Sequence, residues 1–170
     1  MERIPAASWR DYPGHVKRYQ WAATYVQEWD RVNDVACGVG YGSLLMPPNV
    51  DYHGYDKLGV PDPRFPGTYH AVDLDNLTNL TNLPNVADRT ICFETLEHVK
   101  DPQQLAKALE KTTSHTIFIS APTVPTTHMN PYHLHDFTPA DIPDLFPHFF
   151  VAEVWEQPEE LSHVWRLERR

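Results

Sequence analysis

The strongest chemical signal in this sequence is the run Asp34-Val35-Ala36-Cys37-Gly38-Val39-Gly40-Tyr41-Gly42. Glycine at alternate positions lets the chain turn tightly and lets a ligand approach the backbone with no Cβ in the way. A dinucleotide turn is written G-x-G-x-x-G and places a pyrophosphate on a helix N-terminus. Here the spacing is G-x-G-x-G, with an acid four residues before the first of these glycines. That arrangement suits a cationic or amino-acid ligand better than a pyrophosphate. Further acids, Asp56, Asp73 and Glu94, each close an apolar, strand-like run. His128, His133 and His135 fall within one short loop. Histidine-rich tracts bind metals when a tetrahedral set is present. No such set is visible here and Pro131 bends the loop, so no metal is expected. His128 and His133 are read instead as candidates for substrate contact or acid–base work, with a purely structural loop as the alternative.

These residues need elements to position them. Val16, Tyr19, Ala22, Ala23, Val26 and Trp29 recur at helical spacing, which predicts an amphipathic helix over His15 to Trp29. Strands are expected at Val32–Ala36, Val50–Tyr55, Tyr69–Val72, Arg89–Phe93 and Thr116–Ser120. A short helical piece is expected at Tyr41–Met46 and a loop or weak turn at Leu77–Asn85. Asp101-Pro102 starts a helix, with Asp as N-cap and Pro at the first helical position. Thr138-Pro139-Ala140-Asp141 has a similar signature, and Pro147 ends that helix. Phe149–Glu156 and Leu161–Leu167 read as strands joined by four residues, too few for a crossover helix, so they must be antiparallel neighbours. Alternating strands and helices followed by such a pair predict an α/β, Rossmann-like, doubly wound sheet. It is mostly parallel and seven-stranded, with one antiparallel strand near the C-terminus. Ligands of open sheets sit beyond the carboxyl ends of the strands, at the switch in strand order.

Bulk properties narrow the function. At 170 residues the chain fits one domain, residues 1–170 with an irregular segment over 1–14. A domain of that size buries enough surface to need neither disulfide nor metal for folding. Cys37 and Cys92 read as free thiols, which points to a reducing, cytoplasmic compartment. No apolar run is long enough to span a membrane. The net charge of −9 repels phosphate backbones and disfavours nucleic acid as a partner.

Val32 to Ser43 resembles motif I of the class I SAM-dependent methyltransferases, D-x-G-C-G-x-G-x-G, with Ala36 in place of the first glycine. The order of later signals is similar to the small, type 11/23-like members of that family. Phe93-Glu94-Thr95-Leu96-Glu97-His98-Val99 resembles the segment often written E-x-L-E-H-V. Asn130-Pro131-Tyr132-His133-Leu134, followed by Phe137-Thr138, is similar to a loop found after the fifth strand. The resemblance implies S-adenosylmethionine as cofactor, held by Tyr19, Asp34, Ala36, Cys37, Gly38, Gly40, Asp56, Lys57, Asp73, Leu74 and Glu94. In it Asp56 takes both ribose hydroxyls, as a carboxylate with two acceptor oxygens can. Asp73-Leu74 faces the adenine, and Tyr19 closes over the methionine end. It implies methyl transfer to oxygen or nitrogen of a small-molecule acceptor, with His128, His133 and Glu94 as catalytic candidates. A SAM-binding module without transferase activity is the alternative, because the loops that would build an acceptor pocket are short. Monomer and homodimer both remain open.

Overall fold

The structure is a computed structural model, and it describes residues 4–57, 62–76 and 86–170. The expected loop at Leu77–Asn85 lies outside the described residues. Seven strands form one sheet: β1 (Arg31–Val35), β2 (Asp51–Asp56), β3 (Thr68–Ala71), β4 (Ala87–Phe93), β5 (Thr113–Pro122), β6 (Phe149–Gln157) and β7 (Ser162–Arg169). Their order is β3-β2-β1-β4-β5-β7-β6. Strands β1 to β5 pair in parallel, and β7 runs antiparallel to both β5 and β6. The fold class expected from the alternation of elements is the one observed. Strand order reverses between β1 and β4, so the loops that leave these two strands face each other.

Among the described residues three α-helices cover the sheet: α1 (Pro13–Ala23), α2 (Pro102–Lys111) and the single turn α3 (Asp141–Asp144). Helix α1 lies in one apolar layer, with Tyr19 and Ala22 against Val32, Ile91 and Phe118. Helices α2 and α3 lie in the other, where Leu105, Leu109 and Ile142 meet Cys92, Ile117, Ile119 and Trp165. Coverage of both faces explains why Val32 to Val35 of β1 and Thr90 to Phe93 of β4 are buried without alternation. Helix α2 starts as expected, since the Asp101 side chain accepts from Gln104 N at 2.9 Å with Pro102 at the first position.

Helix α1 departs from the expected span. It begins at Pro13 and stops at Ala23, where the Thr24 hydroxyl and amide both bond back to the Trp21 carbonyl. Trp29, counted as part of the apolar face, is 75% exposed with a left-handed backbone, φ 72°. Val26 still packs inward, which produced the longer periodicity. Thr138 does not cap α3 in the expected sense. Its amide and hydroxyl donate to the Asp141 carboxylate, and the helix begins at Asp141.

Candidate active site

The loop after β1 turns on three alternate residues in the left-handed region: Ala36 (φ 65°), Gly38 (φ 59°) and Gly40 (φ 90°). Gly40 packs so closely on the Tyr69 ring that a Cβ would lie 2.5 Å from it, whereas a Cβ on Gly38 would meet nothing within 4 Å. The first fact closes the turn and the second leaves a backbone surface open to a ligand. Ala36 holds the conformation of a glycine at a cost of about 1–2 kcal/mol. The loop is clamped to the next strand, because Gly38 N donates to Asp56 Oδ2 at 2.9 Å.

These residues open onto a cavity of about 350 Å³ at the switch between β1 and β4. Tyr19, Ala36, Cys37, Gly38, Asp56, Glu94 and His133 line it, so seven of the residues singled out in the sequence converge on one space. The rest lie elsewhere. Asp34 is buried behind the loop, and Gly40 packs on Tyr69. Lys57 and Asp73 pair at 3.1 Å on the surface, where the ammonium holds the Asp73 carboxyl below its usual range. Leu74 belongs to the apolar core. His128 is exposed and does not line the cavity. Sequence reasoning did not single out Tyr12, His15, Thr95 or Glu160, which line the space together with Glu97, His98 and Asn130. The E-x-L-E-H-V segment was the available signal for Glu97 and His98.

Glu94 is held by three groups. Ser120 Oγ donates to one oxygen at 2.7 Å, Ser162 Oγ donates to the other at 3.1 Å, and Arg18 Nη1 lies 3.3 Å from the first. Its own backbone is left-handed, φ 47°, fixed by bonds from Glu94 N to the Ser120 carbonyl and hydroxyl. A carboxylate with its lone pairs committed in this way orients a site better than it accepts a substrate proton. His15, beside it, is held near pKa 4 by burial and then by the Arg18 charge, so it is neutral at physiological pH.

Asp34 lies fully within β1 and accepts from the hydroxyls of Tyr19 (2.9 Å) and Tyr52. Burial pushes its carboxyl up to about 7 against the lowering effect of these two bonds, and the Asp56 charge adds to the rise. The unfolded chain releases this proton near pH 4 and the folded protein near pH 7. Between those values the unfolded state binds fewer protons. The contribution of Asp34 to stability is therefore full below about pH 4, falls as pH rises to about 7, and is level above it. Three pH units correspond to about 4 kcal/mol. Asp34→Asn is expected to lack this decline, so its stability relative to the parent should improve by a few kcal/mol between pH 4 and 8. Urea unfolding at a series of pH values checks this; parallel curves for the two proteins would refute it.

The loop between β5 and α3 roofs the cavity. Asp136 ties its start by accepting from the amides of Thr126 (2.7 Å) and Thr127 (3.0 Å). Leu134 N donates to the Glu97 carbonyl at 2.7 Å, and a His135 ring nitrogen lies 2.9 Å from the Val99 carbonyl. These bonds dock the loop on the segment after β4. His133 thereby reaches the cavity, its ring set between Thr126 Oγ1 (2.7 Å) and Asn130 Nδ2 (3.0 Å).

No protein-family model matches the sequence, and no curated protein matches it. Solved structures match the fold. The magnesium protoporphyrin IX methyltransferase of Synechocystis, with bound SAH, is 16% identical, with a TM-score of 0.71 over 100% of this chain and 90% of its own. The N-methyltransferase NodS of Bradyrhizobium japonicum, in complex with S-adenosyl-l-homocysteine, is 11% identical, with a TM-score of 0.71 over 98% and 93%. A Haloferax volcanii protein crystallised with the methyltransferase activator Trm112 is 16% identical, with a TM-score of 0.66 over 96% and 95%. At these identities the likeness is one of fold. The shared fold is a seven-stranded α/β sheet found in solved structures of methyltransferases with bound SAH.

Proposed function

We propose that the protein is an S-adenosylmethionine-dependent methyltransferase acting on a small molecule. The observation that carries this reading is the glycine turn clamped by Asp56 at the mouth of one cavity, in a fold whose solved relatives hold this cofactor or its product in their structures. The residues present fit the cofactor. Gly38 offers open backbone, and Asp56 suits the ribose hydroxyls. Arg18 is fully buried, and its Nη1 and Nη2 reach no acceptor in hydrogen-bond geometry. They face Glu94 and Glu160, which line the cavity, so Arg18 acts on the site through these two acids. The glycine turn, Tyr19 and Ala36 would hold the methionine half. Lys57, Asp73 and Leu74 would lie at the adenine end.

When bound, the cofactor supplies a methyl group on a sulfonium, ready for in-line displacement. The chain's own task is then alignment and exclusion of water. Glu94, fixed by Arg18, Ser120 and Ser162, positions the acceptor side of the cavity. His133 sits where it could take a proton from an acceptor hydroxyl or ammonium. The net charge of −9 supports an acceptor other than nucleic acid, and the buried thiols of Cys37 and Cys92, which form no disulfide, support a reducing compartment. No helix among the described residues is long and apolar enough to cross a membrane.

Calorimetry with S-adenosylmethionine, followed by incubation with methyl-labelled cofactor and pools of hydroxyl, amine and carboxyl acceptors, tests the proposal. Stoichiometric binding and label transfer are expected. Tight binding with no transfer to any pool would favour the binding-module alternative, and no binding would overturn both.

A further inference from the structure

Glu97 and His98 follow the strained Glu94 and face His133 across the cavity. Glu97 is 1% exposed, and neither of its side-chain oxygens has a hydrogen-bond partner among the described residues. An ionised carboxylate left this way in a protein interior is expensive unless it takes a proton or a cation. Its neighbour is arranged to donate an electron pair. His98 Nδ1 lies 3.0 Å from the Tyr132 carbonyl, an acceptor only, so Nδ1 carries the hydrogen. The Nε2 lone pair is then turned toward Glu97 Oε1, 3.8 Å away. A histidine whose second nitrogen donates to a backbone carbonyl is the usual form of a metal-ligating imidazole. Candidate ligand atoms of Glu97, His98 and His133 all lie within 4.8 Å of one another. Ligands of one ion with bonds near 2.1 Å sit roughly 3–4 Å apart, so side-chain movements close the set once His133 Nε2 exchanges the Asn130 amide, 3.0 Å away, for the ion.

We infer that Glu97, His98 and His133 bind one divalent transition-metal ion in the cavity, and that the acceptor is a hydroxyl compound whose oxygen completes the ion's coordination. Two imidazoles and one carboxylate favour manganese, iron, cobalt or zinc over magnesium or calcium. Three protein ligands leave positions open toward the cavity. The inference rests on the methyltransferase reading for its acceptor and stands without it for the ion. In the step it serves, the bound hydroxyl loses its proton to solvent, eased by the ion acting as a Lewis acid. The oxygen's electron pair forms the new O–CH3 bond as the S–CH3 bond breaks, and the pair of the broken bond stays on sulfur, which leaves as the neutral thioether. Ordering of the 121–137 loop supports the inference, because the Leu134 amide and the Tyr132 carbonyl hold it to the two ligands that come from the other loop.

The test uses the full chain, stripped with chelator and titrated with Co2+ and Mn2+ alone, without cofactor. Calorimetry should give one ion per chain, and Co2+ should produce ligand-field absorption bands. His98→Gln and His133→Gln should each weaken binding by about 100-fold or more. His70→Gln, which removes the close pair of His53 and His70 on the sheet edge, should leave it unchanged. In the parent protein Mn2+ should broaden the ring resonances of His98 and His133, a readout that no folding defect can mimic. Absence of stoichiometric binding, or binding indifferent to both substitutions, overturns the inference. Cofactor binding is measured separately, so failure of the metal site is distinguishable from failure of the methyltransferase reading. Loss of metal dependence with methyl transfer intact would sink the proposed hydroxyl coordination.

Discussion

Asp56→Ala is expected to raise the dissociation constant for S-adenosylmethionine by about 100-fold or more while the protein stays folded. Asp56 lies at the end of β2 and lines the cavity, and its Oδ2 accepts from Gly38 N at 2.9 Å. A carboxylate offers about four acceptor sites, and two of them match a pair of vicinal hydroxyls. Hydrogen bonds to a charged group contribute about 1.5–3 kcal/mol each. Loss of the pair corresponds to about a hundredfold or more in affinity. The alanine variant also leaves Gly38 N without its acceptor, which loosens the turn that presents the backbone. Asp56→Asn separates the two effects. Its amide oxygen keeps the bond from Gly38 while the charge is lost, so a loss of about tenfold is expected. Calorimetric titration of the three proteins decides; unchanged affinity in the alanine variant would remove Asp56 from the cofactor site.

The residues that converge on the cavity were legible where the signal is local. Gly38 and Gly40 announce a left-handed turn by type and spacing, and Asp56 and Glu94 announce strand ends by following apolar runs. Topology does the rest, since β1, β2 and β4 are parallel neighbours whose carboxyl ends meet. Pairings set by tertiary packing were not legible. Trp29 fits the α1 periodicity, yet the Thr24 back-bond to Trp21 ends the helix first. Leu74 follows Asp73 in the adenine signal, yet its side chain is drawn into the core beneath the sheet. Glu97 and His98 gain their interest from burial and from the Tyr132 carbonyl, which lies on a distant loop. No spacing rule carries that information.

Arg18 is the clearest case of a long-range arrangement, and Arg18→Met is expected to cost about 3 kcal/mol of stability. The guanidinium is fully buried on α1. Its Nε donates to Gln157 Oε1 at 2.7 Å, and Gln157 Nε2 in turn donates to the Gly14 carbonyl at 3.1 Å. Nη1 and Nη2 lie 3.3 Å from Glu94 and 3.9 Å from Glu160, so one cation balances two acids across α1, β4 and the turn after β6. Methionine keeps most of the apolar stem but strands Glu94, whose side chain is 18% exposed. Removing one partner of a buried pair costs about 3–5 kcal/mol, and partial exposure of Glu94 places the effect at the low end. At about 2–4 °C per kcal/mol for a chain of this length, the melting temperature should fall by roughly 6–12 °C. Arg18→Met with Glu94→Gln should recover part of that loss, because the stranded charge is removed with its partner. A ligand adds the sharper distinction. Saturating S-adenosylmethionine stabilises the parent in proportion to the logarithm of its concentration over Kd. If Arg18 shapes the cofactor site through Glu94, the double variant should regain stability without regaining that protection. Equal thermal shifts on adding cofactor to the parent and the double variant would confine Arg18 to a structural role.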